Sequence, residues 1–343
     1  MPAVKHVKAL TVATTAVLVV SVPVDAHAEK TGHGKVGQVK TQGDAGNGKV
    51  SATVAGVLFD YSKNPRSDAA GPVTPQSGWE PPACWYAPKW TAEDGARDRL
   101  GLDFSPNHDQ DNADSLKSKY IDGSPYKNFN VRKQGKGYWW ASFKDSNRLD
   151  DPATDECTKL PFWVDTGDRP PADAKNAVTP EILAQLAYAQ IRIPQGRART
   201  SDGTSTVNVP NWIWLDRTTF HPVSVRAYVS VLGISATTTA TPVSLHIDPG
   251  TQDATLFPAS GDCSIDAKGN IGTPYAKGDA GAPPCGVTYL RSTQNIGPYQ
   301  LKATVTWKIS WTGTGQPTPV ALPDGTFGTP QDAYVREVQT VNR

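Results

Sequence analysis

The chain has 343 residues, with 34 Lys and Arg against 33 Asp and Glu and a formal charge of +1. So even a balance, without any basic block, argues against nucleic acid and anionic membrane as partners, because both are held by clustered Lys and Arg that displace counterions. At 38% hydrophobic residues the length supports sizeable cores and suggests two domains.

At the start, Lys5, His6 and Lys8 precede an apolar stretch from Ala9 to Val22, and Ala26-His27-Ala28 follows with the small-x-small pattern of a cleavage site. Residues 1–28 are thereby predicted to be a secretory signal peptide cut after Ala28, and the mature protein to be soluble and extracellular. The apolar stretch is too short for a comfortable membrane span, and no second one follows, so no membrane span is expected. Cleavage leaves 315 residues and a net charge of zero, because two lysines and one aspartate leave with the peptide.

Residues 29–49 are rich in Gly, Lys, Gln and Thr and lack apolar material, so they read as a flexible tail. Two nucleotide-like strings lie in it. Gly32-His33-Gly34-Lys35-Val36-Gly37 matches a dinucleotide fingerprint, and Gly43 to Lys49 approaches a phosphate loop, with Val50 where Ser or Thr would hold magnesium. Neither sits between a strand and a helix, the context that makes such strings bind phosphate, so no cofactor is expected.

Residues 50–168 read as a small Trp-rich α+β domain. Val50 to Tyr61 suggests a strand and Pro65 to Pro82 a loop. Thr91, with Asp94 three residues on, signals a helix N-terminus, and a second helix is expected over Ala113 to Tyr120. Gly137 to Phe143 and Pro161 to Val164 suggest strands. Residues 169–203 form a linker carrying the clearest helix, 180–192, where Thr179 caps, Pro180 opens the first turn, and Ile182, Leu183, Leu186, Ala187 and Ile191 form one stripe.

Residues 204–343 alternate apolar and polar residues with period two. The pattern is clear over Val223 to Val231, again at Val243, Leu245 and Ile247, and best from Leu301 to Trp311, where Leu301, Ala303, Val305, Trp307, Ile309 and Trp311 share one face. With Thr206 to Val209, Ile234 to Ala240, Cys285 to Leu290 and Tyr334 to Val341 this makes about seven short strands. The fold class is therefore mainly β with some α: a C-terminal antiparallel β-sandwich (PKD/Ig-like) preceded by the small Trp-rich domain.

Cys84, Cys157, Cys263 and Cys285 are the only cysteines, an even number that in an exported chain favours disulfides. The expected bonds are Cys84–Cys157 and Cys263–Cys285, because either alternative ties together separate folding units. No close Cys/His pairs exist for zinc, and no metal is expected.

Candidate binding residues are the aromatics Trp79, Trp85, Tyr86, Trp90, Tyr138, Trp139, Trp140 and Trp163, whose flat faces suit sugar rings or a protein partner. Core packing around the disulfide competes for the same residues, and neighbours Trp139 and Trp140 must point to opposite faces of a strand. Asn107 to Asp114 gathers oxygen ligands but departs from the EF-hand loop at its sixth and twelfth positions, so a polar loop before a helix is the expectation. His246 is expected to face solvent and His221, before Pro222, to sit in a turn. No hydrolase motif is found, and carboxylate pairs such as Glu93 with Asp94 or Asp150 with Asp151 are told from ordinary surface charge only by geometry. Leu322-Pro323-Asp324-Gly325-Thr326 has Gly and Thr in the reverse of a sortase signal's order, and no apolar tail follows.

The segments PPACWYAPKW, GYWWASF, LPFWVD, VTPEILAQLAYAQIRIP, VNVPNWIWLD and YQLKATVTWKISWTG together resemble a group of secreted actinobacterial (Streptomyces-type) proteins of unknown function. The C-terminal half is also similar in shape to the PKD-type sandwich, with Asp248-Pro249-Gly250-Thr251 in place of its Gly-Asp-Gly turn. The second resemblance implies an extracellular spacer or binding module. The function expected is a secreted, non-catalytic binding or display protein whose partner is an extracellular protein or carbohydrate. The alternative is a secreted hydrolase of cell-wall or environmental polymer.

Overall fold

The structure is a computed structural model that describes residues 37–38, 56–64, 70–107, 109–217, 220–266, 269–279 and 281–338. The predicted signal peptide, both Gly-rich strings except Gly37, His108 and the end of the last expected strand lie outside the described residues.

In chain order the first half contains β1 (Gly37–Gln38), β2 (Leu58–Asp60), β3 (Ala70–Pro72), β4 (Thr74–Pro75), β5 (Cys84–Trp90), α1 (Ala92–Arg97), α2 (Gln110–Tyr120), β6 (Gly137–Lys144), β7 (Phe162–Asp165), α3 (Pro180–Gln190) and β8 (Arg192–Pro194). Helices α1 and α3 start as the sequence indicates, whereas α2 starts at Gln110, three residues before the expected Ala113, because Asp109 caps it. Thr91 accepts from the Asp94 amide while donating to its carboxylate, Asp109 accepts from Asn112, and Thr179 accepts from Ile182 with Pro180 behind it. Each cap contributes about 1 kcal/mol by satisfying an otherwise unpaired amide. Helix α3 ends at Gln190 rather than 192, because the chain turns extended at Ile191 to pair β8 with β3.

Strand β6 is the spine of the first sheet, flanked by β5 on one edge and by β7 and β1 on the other. Both of its faces are covered. Trp139 and Ala141 enter a cluster with Trp90, Leu100, Leu116, Tyr120 and Phe129 beneath α1 and α2, whereas Trp140 joins a larger cluster on the opposite side. Helix α1 approaches β6 closely through Gly95, where a Cβ would lie 2.7 Å from the Trp139 ring and 2.8 Å from Leu100.

The second half contains β9 (Arg199–Thr200), β10 (Ser205–Thr206), β11 (Asn211–Trp214), β12 (Val223–Val229), β13 (Ile234–Asp248), β14 (Ala254–Phe257), β15 (Asp262–Ser264), β16 (Gly286–Tyr289), β17 (Tyr299–Gly313), β18 (Gln316–Ala333) and β19 (Val335–Arg336). The result is mainly β, built mostly from antiparallel sheets, with β10 and β19 forming a small parallel pair. A seven-stranded sheet has the order β2-β12-β13-β17-β18-β4, with β15 also on β13, and a smaller one runs β14-β16-β11-β9. The sheets meet in one core, where Tyr289 of β16 stacks on Tyr299 of β17 at 5.3 Å. The two expected disulfides are present, Cys84–Cys157 and Cys263–Cys285.

Several elements differ from expectation: the loop expected over Pro65 to Pro82 carries β3 and β4, the strand expected over Thr206 to Val209 is the two-residue β10, and β13 and β18 depart further. The separate strands expected over 234–240 and 243–247 are one strand, β13, with its register shifted between Pro242 and Ser244. Proline cannot donate to a ladder, and the irregularity moves the apolar phase from Ala236, Thr238 and Ala240 to Leu245 and Ile247 while keeping all five on the buried face. Strand β18 runs for 18 residues through Pro317, Pro319, Pro323 and Pro330, a composition that reads as loop. It is tolerated because β18 lies near the sheet's margin, where β4 pairs only with Gly325 and Thr326.

Helix α3 packs on β12, β13 and β17, and the Thr238 hydroxyl donates to the Ala184 carbonyl at 2.7 Å. From there one apolar cluster extends through Leu183, Leu186 and Tyr188 to Tyr86, Trp140 and Phe162 of the first sheet. Trp79 stacks on Tyr188 at 5.3 Å, and Gly325 opposite Trp307 is required because any Cβ there would collide with Val73 and reach the Tyr188 oxygen at 2.6 Å.

Candidate functional site

The eight aromatics do not form an exposed patch. Trp85, Tyr86, Trp90, Trp139, Trp140 and Trp163 are buried, and Trp79 and Tyr138 are half-buried. The cause is the double covering of the β6 sheet, which draws aromatics from both phases of the strand into cores. Three of them bond through their polar atoms inside the protein, whereas the Trp85 and Trp140 indole N–H groups are buried without a hydrogen-bond partner. Trp139 Nε1 donates to the Phe129 carbonyl at 3.0 Å, Trp163 Nε1 to Asp165 at 2.7 Å, and the Tyr86 hydroxyl accepts from the Lys159 amide at 3.0 Å.

The carboxylate pairs are also occupied locally. Asp94 is held below the ordinary carboxylate range, chiefly by the Thr91 hydroxyl and then by Arg97; Asp151 is held low by the Ala153 amide and then by Arg148. Asp109 caps α2, and Gln110 donates to Asp114 at 2.9 Å, so the acidic run serves its helix. Among the described residues no group of three His, Cys, Asp or Glu side chains could hold a metal ion. His246 faces solvent and bonds Asp262 at 2.8 Å; among the described residues no hydroxyl is bonded to its ring.

A recess of about 420 Å³ opens at one end of the large sheet, beside the bulge of β13. Its floor is Phe220, buried and 6.5 Å from the Trp307 ring, so the wall rests directly on the core. Pro222, at the entry to β12, Pro242, in the bulge, and the exposed Thr241 also line it. Ile265 and Gly269 close the far side from the loop after β15. That loop is braced: Asp266 accepts from Asn270 through both its carboxylate oxygens, Leu215 and Ile271 exchange backbone bonds, and the Cys263–Cys285 bond anchors the preceding strand to β16.

Two polar heads complete the lining. The stem of Arg217 passes over Gly269, where a Cβ would lie 3.8 Å from its Cδ. His221 donates from Nδ1 to the Pro222 carbonyl at 3.0 Å, which leaves Nε2 as the nitrogen a ligand can meet. The recess thus combines an apolar body with a guanidinium and an imidazole, on supports fixed by a strand, a bulge and a disulfide.

Of these residues, sequence reasoning singled out only His221, as a turn residue. The usable signal was the pair of prolines, Pro222 and Pro242, each interrupting or preceding a strong alternating run. No protein-family model, no curated protein and no solved structure matches the chain.

Proposed function

We propose that the chain is an exported, disulfide-braced binding module whose recognition site is the recess at Phe220, Pro222, Thr241 and Pro242. The carrying observation is the construction of that recess: an apolar pocket with a few polar groups, held on rigid elements, is the usual form of a small-ligand site. Two disulfides fit an oxidising, extracellular setting. No described helix is long and apolar enough to cross a membrane. The resemblance to secreted actinobacterial proteins points the same way.

The test is retention of defined extracellular glycans and peptides on the immobilised mature protein, compared with Thr241→Trp, which fills the recess from an exposed position. Retention by the native chain that is lost in Thr241→Trp supports the reading. Retention indifferent to that change, or turnover of any of these polymers, overturns it.

A further inference from the structure

We infer that the outer edge of β18 is closed to a further strand, so that the large sheet ends there and a second copy of the chain cannot extend it. Unpaired backbone at a sheet margin is a template for another strand, and short marginal strands are one way to limit that hazard. The marginal strands β2, β4 and β15 have three, two and three residues, whereas β18 has 18. Among the described residues, the strand paired with its outer side is β4, at Gly325 and Thr326. The stretch from Pro317 to Ala321 on one side of that pairing is exposed, Val320 included, as are Pro330 and Asp332 on the other. Length therefore does not protect this margin, and something else must.

The prolines of β18 fall where β17 requires no donor. In an antiparallel ladder the N–H and C=O of one residue point to the same side, and successive residues alternate between the two neighbours. The Gln76 amide donates to the Asp324 carbonyl at 2.7 Å, so Asp324 turns outward. With it turn Thr326, Gly328, Pro330 and Asp332, because the register with β17 is unbroken from Gly325 to Ala333. Pro330, across from Lys302, thus lacks an N–H that only the free edge would have offered. Pro323 lies in the bulge between the Trp307–Gly325 and Ile309–Leu322 pairs, and Pro317 and Pro319 lie in the irregular stretch between Trp311–Val320 and Gly313–Gln316. An incoming strand needs a donor at every second residue along a straight edge. Past β4 it meets Gly328 and then Pro330, and on the other side two irregularities, with prolines in both, break the line. The edge is closed without β17 losing a regular ladder bond.

The experiment is sedimentation velocity of the full mature chain over a concentration series, with melting temperature measured alongside. Pro330→Thr restores an unbroken series of outward donors from Gly328 to Asp332 at an exposed position. The native chain should stay monomeric, and Pro330→Thr should self-associate with its melting temperature unchanged. Pro317→Thr/Pro319→Thr/Pro330→Thr should self-associate at a concentration lower by about tenfold, as a longer edge becomes available. Pro330→Thr/Asp332→Pro moves the missing donor one edge position along and should return the chain to a monomer. Folded, monomeric Pro330→Thr overturns the inference, and it decides the matter if the triple variant fails to fold. Association of Pro330→Thr that persists when Asp332→Pro is added also overturns it, because the contact then lies elsewhere than this edge. So does a native dimer that Asp332→Pro alone dissociates, since the edge would then be in use.

Discussion

Strands β6 and β17 both carry two tryptophans, but they use opposite arrangements. In β6 Trp139 and Trp140 are adjacent, point to opposite faces and enter two different cores. In β17 Trp307 and Trp311 are four residues apart and share one face, while Lys302, Thr306 and Lys308 between the apolar positions face outward. A sheet covered on both sides uses both phases of each strand for packing, and one covered on a single side leaves the other phase to solvent. Aromatic density therefore marked a core in the first sheet, and the recess proposed as the binding site lies at the end of the second, where the Pro242 bulge interrupts the pattern.

The comparison can be broken most directly by substitution in both phases. Trp139→Ala and Trp140→Ala should each lower stability by about 3–5 kcal/mol, and Trp307→Ala by the same amount, as large aromatic truncations in packed cores do. Thr306→Ala, in the outward phase of β17, should stay within about 0.5 kcal/mol. Denaturant unfolding of the four variants measures this, and a mild Trp140→Ala or a severe Thr306→Ala would erase the distinction between the sheets.

The disulfides come next. Replacing Cys84 and Cys157 by Ser opens a loop with a separation of 73 residues, and replacing Cys263 and Cys285 opens one of 22. Chain entropy gives losses of about 4 and about 3 kcal/mol, respectively. The second pair should also loosen the Ile265–Gly269 side of the recess, measurable as faster amide exchange at Ile265 and Ile271. Unchanged exchange would detach the recess from its brace.

A smaller effect is expected from Gly95→Ala, which pushes a Cβ into Trp139 and Leu100 and should destabilise by about 1–3 kcal/mol through overpacking. No loss would mean that α1 can move away from β6 freely.

The smallest effect concerns pH. Asp165 is held below the ordinary carboxylate range, first by the Trp163 indole N–H and then by Lys133. A depressed carboxylate contributes stability above its unfolded value, about 3.9, and loses that contribution as pH falls through its folded value. Asp165→Asn should therefore lower the melting temperature slightly at pH 7, and the difference should shrink below about pH 4. A gap that persists at pH 3 would remove this anchor at the edge of β7.

Much of the molecule follows from local rules. Thr91 and Thr179 cap their helices through contacts within three residues, and the alternation in β12 and β17 fixes a buried phase, whatever partners those strands take. The cysteine pairing follows from chain separation and from the two regions of different patterning. Strand β18 was not legible, because its prolines lower local strand propensity and only its antiparallel register with β17 along nearly its whole length makes it extended.

What the sequence by itself determined, then, is the set of elements whose signals span a few residues: caps, alternation, even cysteines and a mainly β composition. Tertiary structure decided which faces are covered and where a cavity remains, because both depend on residues far apart in the chain. Trp140 is buried through contacts that join β6 to the larger core, and the recess exists only where Phe220, Pro242 and Ile265 are brought together by β12, β13 and the disulfide-tied loop. Burial is a property of the neighbours a side chain acquires, and a one-dimensional pattern reports those neighbours only when one face of an element is left to water.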